Sequence, residues 1–162
     1  MNISMEVVGV RVEMPSNQPI VLLKESDGLR FLPIWVGASE ATAIAFVQQG
    51  VQAPRPLTHD LLADVIEALD AVLTSVHITK IDKGVFFAEL NLRTSAGVVL
   101  HVSARPSDAI ALALRTHSNI LATSQLLEEA GIDIPVEGGE ENQEVERFRA
   151  FLDEINPDDF AG

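Results

Sequence analysis

The sequence predicts an α+β fold, in which a mainly antiparallel sheet packs against helices as a single compact domain. Short segments of alternating apolar and polar residues are separated by turn signals at 26–28, 82–84 and 95–97, as is typical of antiparallel strands joined by hairpins. Helical periodicity follows groups of strands and does not alternate with single strands, which favours α+β over α/β. A length of 162 residues suits one domain with its own core.

The first three elements are predicted to be strands. Branched and aromatic residues dominate at 8–12, 20–24 and 30–36, and these residues favour extended structure. Pro33 lies inside the third segment. Because proline cannot donate a hydrogen bond to a central ladder, it predicts an edge position or a bulge there.

Two helices follow these strands. The first is predicted at 41–49, with Ser39 as its N-cap and Gly50 just beyond its end. The second is predicted to begin at Thr58 as N-cap and to carry an apolar stripe that continues to Leu73.

The second half repeats the order of strands followed by a helix. Strands are predicted at 75–81, 85–93 and 98–104. The helix predicted at 106–117 is apolar nearly all round, so it must be buried. A short helix is predicted at 124–130.

The C-terminal segment, residues 136–162, differs in composition from the rest. Its acidic residues outnumber its two arginines, and its formal charge is −7. Residues 138–141 are typical of a solvated linker, and an amphipathic helix is predicted beyond them from the apolar residues Val145, Phe148, Leu152 and Ile155. The sequence therefore predicts a domain at 1–135 and an acidic helical tail at 136–162.

The composition limits the classes of function. The chain has no cysteine, which excludes disulfides and thiolate chemistry. With no signal-peptide profile and no apolar run of about 20 residues, a cytoplasmic protein without membrane contact is expected. The formal charge of −13 and the lack of a basic stripe argue against simple binding to nucleic-acid phosphates. A bound divalent ion could offset that charge at a carboxylate site.

A polar cluster is predicted where the last long strand meets the buried helix. The period of two places His101, Ser103 and Arg105 on one face, and Ser107 and Asp108 follow in the first helical turn. A hydroxyl, a guanidinium and free backbone N–H groups together suit an anion. The alternative is structural, with Asp108 paired to Arg105 and Ser107 acting as a cap.

A second cluster precedes the other amphipathic helix. Arg55 lies between two prolines, and His59 with Asp60 offers a general base beside a metal-ligand carboxylate. Asp60, Asp64 and Glu67 share one helix face, an arrangement more typical of a solvated surface than of a metal site.

Glu40 completes the set of candidates. The residues that follow it on its helix face are apolar, so its carboxylate needs a partner. Arg55 and Arg105 are both possible partners.

The three segments just described resemble the signature blocks of the bifunctional nuclease domain family. The blocks are Leu32 to Gly37 with Glu40, Pro54 to Leu62, and Arg105 to Ala113. Their order and spacing match as well, and the resemblance covers roughly residues 1–135. It implies a compact α+β fold that tends to dimerise and a nuclease activity on DNA and RNA. This chain has Ser103 where the family usually has an acidic residue.

By this resemblance the matching positions are expected to form one site, and the residues are Glu40, Arg55, His59, Asp60, Arg105, Ser107 and Asp108. Asp60 and Asp108, with Glu40, would hold magnesium or manganese, which prefer oxygen ligands. His59 would activate water, while Arg55, Arg105 and Ser107 would bind the phosphate. The alternative is a non-catalytic homodimer that regulates a partner or binds an anion or nucleotide at the same corner.

Overall fold

The computed structural model describes residues 1–13 and 15–134. Over these residues the chain forms one eight-stranded sheet and four helices, which confirms the α+β prediction. The strands are β1 (Asn2–Glu13), β2 (Gln18–Glu25), β3 (Arg30–Trp35), β4 (Val72–Asp82), β5 (Val85–Arg93), β6 (Val99–Ala104), β7 (Asn119–Thr123) and β8 (Ile132–Asp133), and the helices are α1 (Ala38–Gln48), α2 (Thr58–Ala68), α3 (Pro106–Thr116) and α4 (Ser124–Ala130).

The strands lie in the order β6-β5-β4-β7-β1-β2-β3-β8. Only β4 and β7 run parallel among the described pairs, and all the other neighbours are antiparallel. The N-terminal strand β1 is therefore central, between β2 and the late strand β7. Pro33 pairs with Leu22 on one side, while β8 reaches only Arg30 and Phe31 on the other, so the edge position predicted for Pro33 is confirmed.

β2 is buried on both faces because its apolar residues are consecutive. Val21 and Leu23 face the main core, whereas Ile20 and Leu22 face a smaller cluster with Trp35. Alternate residues of a strand point to opposite faces, so one continuous apolar run supplies both clusters.

α3 lies in the main core, as its composition predicts. Ala109 to Ala113 are almost fully inaccessible to solvent, and the helix packs against α1, α2, β4 and β5. Pro106 begins the helix, where its missing N–H removes no helical hydrogen bond. His117 ends it with a φ of 54°.

The sheet curls around this helix. Trp35 at the end of β3 and Phe86 near the start of β5 line one cavity, although five strand spacings separate their strands in the sheet. A flat sheet would hold them about 24 Å apart. Curling brings the ends of β3 and β6, and the helices that follow them, to the same end of the molecule.

Several predicted boundaries were wrong. α1 begins at Ala38 with Gly37 as N-cap, so Ser39 lies inside the first turn. Likewise Leu57, not Thr58, is the N-cap of α2. The second helix ends at Ala68, and Leu73 belongs to β4, because positive φ at Asp70 turns the chain before the apolar pattern ends.

Two strands, β7 and β8, were not predicted. The strand predicted at 98–104 is observed as β6, whose residues from Val99 to Ser103 are exposed on both faces. Among those residues no helix is long and apolar enough to cross a membrane. The domain boundary predicted at 135/136 and the whole predicted tail, residues 136–162 with its helix, lie outside the described residues.

Candidate functional site

Arg105 joins two carboxylates from distant parts of the chain. It lies just before α3 and donates from Nε to Asp108 Oδ2 at 2.9 Å and from Nη2 to Glu40 Oε1 at 2.8 Å. Arg105 is one of the two partners of Glu40 that the sequence allowed. Arg105 keeps 66% of its side chain exposed, whereas Glu40 keeps 17%, so the guanidinium closes the cluster toward solvent.

His59 joins the same cluster from the start of α2. Its Nε2 lies 2.8 Å from Asp108 Oδ1, and its side chain is only 12% exposed. α1, α2 and α3 thus contribute to one chain of contacts from His59 through Asp108 and Arg105 to Glu40. We call these four residues the polar junction.

The charges of the polar junction stabilise one another. Burial raises the pKa of Asp108, but the hydrogen bonds from Arg105 and His59 outweigh it, so that the pKa lies below its ordinary value. The bonds to Asp108 and Glu40 raise the pKa of Arg105. Asp108 is therefore a carboxylate at neutral pH and accepts hydrogen bonds only.

Asp60 lies beside this junction but has different partners. Its carboxylate accepts from the backbone N–H of Leu57 at 3.0 Å and from Arg115 Nε. These two bonds lower the pKa of Asp60 in that order of importance. Asp60 thus caps α2 and ties it to α3.

The remaining candidates differ in burial. Ser107 is 7% exposed in the first turn of α3, next to Arg105. Arg55 is exposed in the loop before α2 and pairs with none of the described carboxylates. Asp64 and Glu67 are exposed, as expected of a solvated helix face.

The donors do not form a ready-made metal site. Among the described residues, no three His, Asp or Glu side chains are grouped so that they could hold an ion. A guanidinium, itself a cation, lies between the carboxylates of Glu40 and Asp108. Asp60, the other predicted ligand, is occupied by Arg115. A metal bound by Glu40 and Asp108 would require Arg105 to move.

Two residues that shape the candidate site were not predicted from the sequence. Arg115 is 8% exposed and donates to Asp60, to the Ala43 carbonyl at 3.1 Å and to the Ala111 carbonyl at 2.9 Å. An arginine in an otherwise apolar helix could have indicated a buried ion pair. The signal was ambiguous, because a basic residue in a last turn also suits the helix dipole.

Gly37 is the other missed residue. A Cβ at this position would overlap Glu40 Oε2, so a larger residue would displace the carboxylate from the start of α1. Gly37 therefore helps to position the acid that Arg105 binds.

Comparison with known proteins adds a family and two relatives. A model of the bifunctional nuclease domain matches residues 21–135, which include every residue of the polar junction. Two uncharacterized proteins of Mycobacterium tuberculosis, from strains CDC 1551 / Oshkosh and ATCC 25618 / H37Rv, are each 50% identical over 160 residues. Each alignment covers 95% of this chain and 95% of the relative. The resemblance found in the three sequence blocks is confirmed.

Proposed function

The chain belongs to the bifunctional nuclease domain family, and on that premise we propose that it hydrolyses phosphodiester bonds in DNA, RNA or both. The observation that carries the proposal is the polar junction. Three segments far apart in sequence bring an imidazole, two carboxylates and a guanidinium together. Their exposed member, Arg105, presents its guanidinium to solvent.

In this proposal His59 is the general base. Asp108 can only accept a hydrogen bond, so His59 Nε2 carries the hydrogen that they share, and the lone pair of the neutral ring is on Nδ1. Nδ1 takes a proton from the attacking water as its oxygen bonds to phosphorus. The bond to the leaving oxygen breaks, that oxygen takes a proton from solvent, and Asp108 stabilises the imidazolium.

Arg105 is the proposed phosphate ligand. Its guanidinium has a planar fork of donors that suits two phosphate oxygens. The backbone N–H groups of Ser107 and Asp108 precede the first helical bond, which Ala109 donates to the Arg105 carbonyl. They are therefore free of helical acceptors and face an anion that approaches the start of α3.

The charge of the junction favours an additional cation. Glu40 and Asp108 carry two negative charges against one on Arg105, so a phosphate would meet a net negative group. Arg55, which is exposed in the neighbouring loop, is one possible source of positive charge. Magnesium or manganese is the other, and the requirement for a metal stays a prediction.

Cleavage of labelled single-stranded DNA and RNA tests the proposal. The full chain is incubated with magnesium, manganese or EDTA, beside the variants His59→Gln and Asp108→Asn. Loss of the base or of its partner is expected to lower the rate by about 10²–10⁴-fold. Asp64→Asn is the matched control, because it removes an exposed carboxylate from the same helix.

The outcomes separate the alternatives. Cleavage that persists in both folded variants would come from a contaminant and would remove support for the site. Loss of cleavage with EDTA, restored by manganese, would establish the metal. If no condition gives cleavage but oligonucleotides bind through Arg105, the protein is a non-catalytic anion-binding or regulatory domain. The ion pairs that already satisfy Glu40 and Asp108 favour this second candidate.

We also infer that the protein forms a homodimer through β6. Among the described residues this strand is an edge of the sheet, and Val99, Leu100 and Val102 are exposed on its two faces. Pairing with the same strand of a second copy around a two-fold axis would satisfy its outer backbone groups and set these side chains beside their copies in the partner strand. Sedimentation is expected to show a dimer for the wild type and a monomer for Leu100→Glu, with Val8→Glu as an exposed control on β1.

A further inference from the structure

An open cavity of about 250 Å³ adjoins the polar junction. It lies where the curled sheet brings the ends of β3 and β6 together with the start of β5. Its wall contains apolar and polar groups, and those used below are Gln18, Trp35, Val85, Phe86, Arg105 and Ser107. Arg105 belongs to both the cavity and the junction, so a molecule in the cavity would lie beside the proposed phosphate site.

We propose that this cavity, the base pocket, receives one unpaired nucleobase of a single-stranded nucleic acid while Arg105 holds the adjacent phosphate. The inference rests on the proposed function and names its substrate class. A base inside a duplex cannot enter such a pocket without leaving its stack, so single strands and frayed ends are preferred over duplexes.

The composition of the wall suits a base better than a sugar phosphate. Trp35 and Phe86 are buried residues that contribute aromatic atoms to the wall, and contact of bases with aromatic side chains is sequence-tolerant. Gln18 adds an amide, which offers a donor and an acceptor to a base edge. The cavity is smaller than the roughly 300–1,000 Å³ of drug-sized sites, which limits it to one base.

The charge of the chain leads to the same conclusion. A protein with a formal charge of −13 gains little from releasing counterions of a phosphate backbone. Beyond the one phosphate held by Arg105, its affinity for nucleic acid would then come from contacts with the neutral bases. The binding constant is therefore expected to fall only about threefold between about 50 and 200 mM salt, whereas that of a basic protein with several phosphate contacts falls by orders of magnitude.

Trp35 makes the pocket directly observable, because it is the single tryptophan of the chain. Its fluorescence, excited at the red edge where nucleobases absorb little, is titrated with a 5′-mononucleotide and separately with ribose 5-phosphate. The nucleotide is expected to change the emission with saturation, and the sugar phosphate is expected to leave it unchanged at the same concentrations.

Two variants test the location. Val85, at the start of β5, is 36% exposed, so Val85→Phe narrows the pocket with little strain on the core. It is expected to weaken nucleotide binding by about tenfold or more. Gln18→Ala is expected to reduce the preference between different bases. Val8→Phe is the matched control, since Val8 is an exposed valine on β1 and does not line the cavity.

The proposal is overturned if ribose 5-phosphate changes the emission as the nucleotide does, or if folded Val85→Phe binds nucleotide with wild-type affinity. A steep loss of affinity with salt would also overturn it, because backbone contacts would then dominate. Cleavage is measured separately. Activity without a fluorescence response rejects the base pocket alone, whereas a response without activity rejects hydrolysis alone.

Discussion

At the scale of single residues, the geometry around α2 depends most on Arg115. Its buried guanidinium joins Asp60 of α2, the Ala43 carbonyl of α1 and its own helix. The sequence correctly limited the partner of Glu40 to Arg55 or Arg105, because a carboxylate among apolar neighbours needs a cation. It did not predict Arg115, since no local pattern distinguishes a buried arginine from an ordinary basic residue in a last helical turn.

Replacement of Arg115 tests that dependence. Arg115→Gln is expected to lower the free energy of unfolding by about 1.5–3 kcal/mol, because it removes the charge-assisted hydrogen bonds that join α1, α2 and α3. Denaturant unfolding measures the change. Arg93→Gln, at an exposed arginine, should stay within about 0.5 kcal/mol of wild type, and an equal effect of the two substitutions would contradict the assigned role.

Ser103 gives a second prediction at this scale. It lies directly across from Glu89 on β5, and Glu89 pairs with His101 at 2.9 Å. Ser103→Asp places a carboxylate at this position, where it faces a like charge across the strands. We expect it to lower the free energy of unfolding by about 0.2–1 kcal/mol, and Glu89→Gln should relieve that loss in the double variant. Additive effects of the two substitutions would show that the carboxylates do not interact.

At the scale of elements, α2 differs from the other helices. No residue of α2 is buried, and Leu61, Val65 and the residue after its end, Leu69, are exposed on an apolar face. Polar contacts near its start, from His59 and Asp60 to α3, hold it in place together with partly buried Ala63 and Ile66. The sequence predicted the amphipathic face correctly but not its exposure, because periodicity shows which residues share a face and not what covers that face.

Hydrogen exchange should reveal this weak attachment. Amides of α2 are expected to exchange through local opening, well before those of α3, which open only with the core. Mass spectrometry of labelled peptides resolves the two segments. Equal protection of both helices at low protein concentration would contradict the prediction, whereas protection of α2 that grows with concentration would place it in a dimer interface.

At the scale of the whole molecule, the curled sheet assembles the site. The antiparallel hairpins and the buried helix were predictable from alternation and composition. The adjacency of β4 and β7 was not, because parallel pairing between distant strands leaves no turn signal. The polar junction likewise depends on which strand ends the curl brings together, and the three family blocks identified its residues without giving their contacts.

The charge of the molecule predicts how stability responds to acid. The pKa values of Asp60, Asp108 and Glu25 lie below their ordinary values, the last mainly through hydrogen bonds from Arg30. A group with a lowered folded pKa stabilises the fold above its unfolded pKa and loses that effect as pH falls through the folded value. The thermal midpoint is therefore expected to decrease once the pH is below about 4, which is near the ordinary pKa of a carboxyl.

Between pH 7 and the isoelectric point, the thermal midpoint should instead rise as the pH falls. The isoelectric point is near 4.5, so repulsion among the excess carboxylates weakens as the pH falls from 7 toward it. Calorimetry between pH 7 and pH 2 measures both regimes. Asp60→Asn should flatten the acid limb, and a midpoint that is constant down to pH 2 would contradict the assignment of these ion pairs.

The central place of β1 has a consequence for synthesis on the ribosome. Met5 pairs with Ile120, so the first strand emerges about 115 residues before its second neighbour exists. At about 5–20 residues per second, the nascent hairpin waits roughly 6 to 23 s with one backbone edge open. Throughout that interval a chaperone, or the same strand of an adjacent nascent chain on the polysome, competes for the place that β7 will take.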